Sequence, residues 1–182
     1  MAFANALPKD WPGPRGSRAI AGPPLAAKGA GLLDRHEEAL MRGDAVSSEF
    51  TNRGWVRYLG HTDVPVISPE EAGENLAGIA LRHDLTLFAH YATDTAGHKQ
   101  ALAPAVTALE RVDRFLAGLL EARTEELQIL IVSDHGNVED IRGGHTTNPA
   151  LGLVVGQAAG LPIDGADLRH VPDFVGRLLG SR

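Results

Sequence analysis

The sequence predicts an α/β fold built on a mainly parallel sheet with helices on both faces. Three observations predict it. Apolar residues recur at spacings of three and four after Ser68 and again after Leu102. Two short runs, 85–91 and 128–132, are apolar enough for buried strands. Helical and strand patterns alternate along the chain, the order that βα units impose.

Residues 1–31 read as irregular. Pro8, Pro12, Pro14, Pro23 and Pro24, with several glycines, prevent a continuous helix and fit badly in a central strand. Residues 32–41 read as a short helix. The stretch 47–59, with Phe50, Trp55 and Tyr58, is aromatic-rich and without a clear period. Ser68-Pro69-Glu70-Glu71 then supplies an N-cap, a first-turn proline and an acidic first turn. Ala72, Leu76, Ile79 and Ala80 form the stripe of the helix that follows. A strand is expected over 85–91 and a long helix over 102–121, with Pro104 in its first turn. Strands over 128–132 and 151–155 and a helix over 167–179, with Pro172 near its start, complete the chain.

A length of 182 residues suffices for one domain with a real core. With 43% hydrophobic and 22% charged residues, the composition argues against wholesale disorder. A net charge of −6 argues against a general nucleic-acid binder, which needs a basic face. It leaves open a phosphorylated small substrate, because bound cations would reverse the local field. The absence of cysteine excludes disulfides, thiolate ligation of zinc and a cysteine nucleophile. No apolar run approaches the roughly 18 residues of a membrane span, and no leader pattern opens the chain. A cytoplasmic location is therefore the default expectation, with neither membrane nor nucleic acid as a partner.

Ligands of open α/β sheets bind beyond the carboxyl ends of strands. Three polar clusters sit at such places: Asp94-Thr-Ala-Gly-His98 after the first strand, Ser133-Asp134-His135-Gly136-Asn137 after the second, and Gly143-Gly144-His145-Thr146-Thr147-Asn148 before the third. Any one of them suits a loop or a helix cap equally well. Together they make Asp94, His98, Asp134, His135 and His145 candidate ligands. Carboxylate plus imidazole suits zinc or manganese without a thiolate. Two such ions about 4 Å apart can clamp the attacking and leaving oxygens of a displacement on phosphorus. Asn137 and Asn148 suit a hydrogen bond to a ligand or a turn, and Arg142 suits steering of phosphate or an exposed position. Glu139 and Asp140 read as loop solvation or capping. His36, His61, His83, His90 and His170 lack a second ligand nearby in sequence and are expected at the surface, with His90 nearest to the clusters.

The stretches Asp94-Thr-Ala-Gly-His98, Ser133-Asp-His-Gly-Asn-Val-Glu139 and His145-Thr-Thr-Asn-Pro149 resemble the alkaline phosphatase superfamily in order and strand position. The closest resemblance is to the branch holding cofactor-independent phosphoglycerate mutase and phosphopentomutase. It runs from about residue 85 to 155. The resemblance implies two divalent ions, Zn or Mn. One is held by Asp94, His98 and His145, the other by Asp134 and His135 with an aspartate and a Ser or Thr nucleophile. It also implies a phosphorylated small-molecule substrate and phosphatase or phosphomutase chemistry through a phospho-enzyme.

The family's Asp-Gly strand end and nucleophile segment are not recognisable here. Ser17 lacks a preceding strand, while Ser47, Ser48 and Thr51 lie in a stretch that resembles an inserted cap. The expectation is a cap-like region over 1–67 and part of an α/β metal-binding domain over 68–182, forming one unit. The chain is expected to lack an N-terminal segment carrying the nucleophile. One metal site would be whole, the other half-built, and a sheet edge and apolar surface exposed. The alternative is a non-catalytic metal-binding remnant or interaction module of the same fold.

Overall fold

β1 (Ala2–Phe3) runs parallel to β2 (Thr86–Leu87), with Ala2 opposite Thr86 and Phe3 opposite Leu87. A computed structural model of the chain describes residues 1–13, 21–161 and 167–180, so Ser17 lies outside the described residues. The ladder is short because the buried Asn5 side chain takes over from it. Its Nδ2 donates to the Ala89 carbonyl at 2.7 Å and its Oδ1 accepts from the Ala89 N–H at 2.8 Å. A side-chain amide thus satisfies backbone groups that a longer strand would have paired. The expected strand over 85–91 accordingly contracts to two ladder residues. A parallel bridge from Asn5 to Val46 adds a third segment to this small sheet.

Residues 1–13 and 21–31 are more ordered than their prolines suggest. Besides β1 they hold α1 (Gly22–Gly29), in which prolines occupy the first turn. A proline there forfeits no helical hydrogen bond, so the residues that argued against a helix instead begin one. α2 (Glu37–Met41) covers only the second half of the helix read over 32–41. α3 (Arg53–Leu59) buries Trp55. α4 (Pro69–Ala80) starts where the capping signal placed it, with Ser68 Oγ accepting from the Glu71 N–H at 3.1 Å. After β2 come α5 (Ala92–His98) and α6 (Leu102–Glu121).

α4 and α6 form the largest helix–helix interface, and they meet at two glycines. A Cβ on Gly118 would overlap the Glu70 carbonyl oxygen, and one on Gly73 would overlap that of Phe115. Arg114 braces the same crossing with two parallel bonds to the Glu70 carboxylate, at 2.6 and 2.9 Å. The main core spans both halves of the chain: Ala2, Ala4, Val46 and Phe50 join Ala72, Leu76, Ile79, Phe115 and Leu119. Phe50 stacks on Phe115 at 4.1 Å and on the His90 ring at 4.4 Å.

β3 (Ile129–Val132) and β4 (Gly152–Val155) pair antiparallel, with Ile129 opposite Val155. The fold is therefore mixed α/β, but the strands differ from the single mainly parallel sheet expected. Among the described residues they form two separate pairs, one parallel and one antiparallel. The connection from β3 to β4 contains no crossover helix, and such a connection returns the chain antiparallel. The last helix also differs: a 3-10 turn at Leu168–His170 precedes α7 (Val171–Gly180). Among the described residues no helix is long and apolar enough to cross a membrane.

Candidate metal centre

The stretch Asp94-Thr-Ala-Gly-His98 lies within α5 rather than in a loop. Residues four apart on a helix share a face, so Asp94 and His98 project together. Gly97 serves the same site. A Cβ there would overlap the Oδ1 of Asn137, a residue only 5% exposed. The glycine admits the Asn137 amide, whose Nδ2 donates to Asp94 Oδ1 at 2.6 Å and to the Asp94 carbonyl at 3.2 Å.

The loop after β3 delivers the remaining side chains. Gly144, with φ of +81°, turns the chain into His145. Thr146 then bridges back to Gly136 through an N–H···O bond of 2.8 Å. His145 Nε2 consequently lies 3.2 Å from Asp94 Oδ1 and 3.1 Å from His98 Nε2, and His98 Nε2 lies 3.4 Å from Asp94 Oδ1. These three atoms make a nearly equilateral triangle. Ligands about 2.0–2.1 Å from a tetrahedral zinc are separated from one another by about 3.3 Å, so the triangle fits such an ion. Residues 94 and 98 of the first cluster and residue 145 of the third thus lie side by side.

His135 stacks on His145, ring centroids 3.7 Å apart. Its ligand atom also groups with those of Asp94 and His145 inside 4.8 Å. This looser set and the tight triangle share two members. The triangle has the edge lengths of one coordination sphere, and the set that includes His135 is wider. Asp134 lies beside it, Oδ1 at 3.6 Å from His135 Nε2, with its side chain 75% exposed. Burial alone would raise the Asp94 pKa, but the Asn137 amide, His98 and His145 outweigh it and hold the carboxyl below its ordinary value. Burial raises the Tyr91 phenol, and the nearby Asp134 charge adds to the rise.

Glu139, read from sequence as a loop or capping residue, is the latch of this loop. Its carboxylate accepts from Thr146 Oγ1, from the Asn137 N–H at 2.6 Å and from Asn148 Nδ2 at 3.1 Å. The Thr146 hydroxyl is the largest influence in lowering its pKa to about 2. In the sequence Glu139 directly precedes Asp140, and no signal sets the one apart from the other. Asn148 contacts this latch rather than a candidate ligand. Arg142 forks onto Asp140 at 2.6 and 2.7 Å and is otherwise in solvent.

The five remaining histidines are partly buried rather than exposed. His36 and His83 bond to the carbonyls of Leu7 and Ile79, both at 2.8 Å. His61 packs on Trp55. His90 bonds to the Ser48 carbonyl at 2.7 Å, and burial lowers its pKa.

A family model described as the Metalloenzyme superfamily matches residues 67–169, the segment that carries every one of the candidate ligands. The chain belongs to this superfamily. The match bears out the resemblance to the alkaline phosphatase superfamily and its phosphoglycerate-mutase-like branch.

Several relatives of this Metalloenzyme superfamily chain bear the name 2,3-bisphosphoglycerate-independent phosphoglycerate mutase. That of Wolinella succinogenes is 35% identical over 91 residues, 48% of this chain and 18% of the relative. That of Paracoccus denitrificans is 31% identical over 122 residues, 62% of this chain and 24% of the relative. That of Chloroflexus aurantiacus is 34% identical over 113 residues, 57% of this chain and 21% of the relative. The chain thus spans about a quarter or less of these curated relatives. No solved structure matches it significantly.

Proposed function

We propose that Asp94, His98 and His145 hold one divalent cation, zinc or manganese, and that Asp134 and His135 contribute to a second. Together they form a centre for phosphoryl transfer on a phosphorylated small molecule, of phosphomutase or phosphatase type. The observation that carries this reading is the triangle of ligand atoms with edges of 3.1 to 3.4 Å. The names of the relatives support the reaction class. When bound, the ions would supply charge neutralisation for the phosphoryl oxygens. This chain's residues do the positioning. Asn137 fixes the Asp94 carboxylate, Glu139 holds the loop that carries His145, and His135 stacks against His145.

Two hydroxyls on the stretches that carry the ligands, those of Ser133 and Thr146, are engaged by protein acceptors. Ser133 Oγ donates to the His135 carbonyl at 2.8 Å, and Thr146 Oγ1 is held by Glu139. We read the attacking hydroxyl as lying on a segment other than those that build the centre. Such a segment has surface to pack on: Val132 and Leu153 on the β3–β4 pair and Leu102, Val106 and Leu109 on α6 are all exposed.

The test is p-nitrophenyl phosphate hydrolysis beside calorimetric titration with zinc and manganese. The chain is expected to bind ion and show no turnover above background. Turnover would place the nucleophile inside these residues, and failure to bind either ion would overturn the metal assignment. The occupied hydroxyls also fit a second reading, a metal-binding module that performs no transfer. A longer version with any upstream in-frame Asp-Gly and Ser or Thr segment separates the two, because only the transfer reading predicts turnover from it.

A further inference from the structure

We propose that Lys99 and Arg111 form a separate phosphate subsite in the groove between α5 and α6, beside the metal centre but independent of it. The groove has a volume of about 570 Å³. Each helix brings the same pair to it at a spacing of four: Thr95 in α5 with Lys99 at its C-cap, and Thr107 with Arg111 in α6. Residues so spaced share a face, so a hydroxyl and a cation from one helix look across the groove at a hydroxyl and a cation from the other. Ser48 and Tyr91 add two further hydroxyls to the lining. The Tyr91 hydroxyl is buried and has no hydrogen-bond partner among the described residues.

The charge balance favours an anion. In this acidic chain many basic side chains face a carboxylate: Arg82 meets Asp44, Arg114 meets Glu70 and Arg169 meets Asp167. Lys99 and Arg111 have no ion-pair partner among the described residues. The one carboxylate in the lining is Glu49, and it is already engaged. Its oxygens accept from Thr51 Oγ1 at 2.5 Å, from the Gly54 N–H at 3.2 Å and from Ser47 Oγ at 3.4 Å, which turns them toward the start of α3. Two unpaired cations with hydroxyl donors around them match the several acceptor oxygens of a phosphate.

The subsite lies on α5 about 100° around the axis from the Asp94–His98 face, since successive helical residues turn by that amount. A substrate with two anionic ends could therefore place one at the ions and the other here. That role rests on the phosphoryl-transfer reading, but binding of phosphate by the groove does not.

The experiment is an NMR titration of the full chain, stripped of metal by chelation, with inorganic phosphate and in parallel with acetate. Saturable shifts are expected at the amides of Thr95, Lys99, Thr107 and Arg111 with phosphate, and much weaker ones with acetate. Combining Lys99→Gln with Arg111→Gln should weaken phosphate binding roughly tenfold or more, about the effect of losing two exposed charge contacts. Asp94→Ala should leave it intact, which separates this subsite from the metal centre. An absence of saturable shifts, an equal response to acetate, or unchanged affinity in the double variant would each overturn the proposal.

Discussion

Replacing Asp94 with alanine is expected to abolish high-affinity binding of a divalent ion, lowering affinity by roughly 100-fold or more. Changes to residues that merely orient a ligand already cost about 10–100-fold, so removing the anionic ligand lies at or beyond the top of that range. Asp94 is the hub of the cluster. It alone touches both histidines of the triangle and Asn137 as well. Its side chain is 41% exposed, so the metal-free fold should tolerate the change. Calorimetric titration reads the affinity directly. Thermal unfolding gives a second readout: an ion at 100 times its Kd stabilises by about 2.7 kcal/mol, and that gain should vanish in the variant. Retention of the gain would mean that the ion binds elsewhere.

Gly118→Ala is expected to destabilise the chain by about 3 kcal/mol, near the upper end of overpacking effects. The added Cβ would overlap the Glu70 carbonyl oxygen and lie 2.7 Å from the Glu70 carbonyl carbon and Cα. These are backbone atoms, so no rotamer change relieves the clash and α4 must move away from α6. Gly78, on the same α4 helix, is the control. Its Cβ would meet nothing closer than the Arg82 guanidinium at 3.8 Å. Gly78→Ala should therefore stabilise, by up to about 1 kcal/mol from helix propensity. Urea unfolding of both variants measures the contrast. Equal effects of the two substitutions would mean that α4 and α6 do not cross at Gly118.

The parts of the fold that were legible in sequence are those whose signals are local. Ser68 with Pro69, Glu70 and Glu71 located the start of α4, and the spacing of leucines and valines located α6. β3 was legible as an apolar run. What the sequence concealed depends on contacts distant along the chain. Ala2–Phe3 is a strand because residue 86 lies beside it, and Asn5 stops the ladder through Ala89. No local pattern announces either. α5 was hidden because its seven residues include two threonines and a glycine, weak helix formers held by their surroundings.

The candidate site divides in the same way. The side chains with ligand chemistry were readable as residue types at strand ends. The residues that support them were less so. Asn137 could be read equally as a turn residue, and only the approach of Gly97 shows that it serves Asp94. Glu139 looked like one more loop carboxylate until Thr146 and Asn148 were found on it.

Zinc-edge X-ray absorption of the chain loaded with one equivalent of the ion measures the inner coordination directly. Residues 94, 98 and 145 predict a shell of nitrogen and oxygen at about 2.0–2.1 Å, with the scattering of two imidazoles. His145→Ala should remove one of them. A shell of oxygens alone, or imidazole scattering unchanged in that variant, would contradict the convergence of these three side chains on one cation.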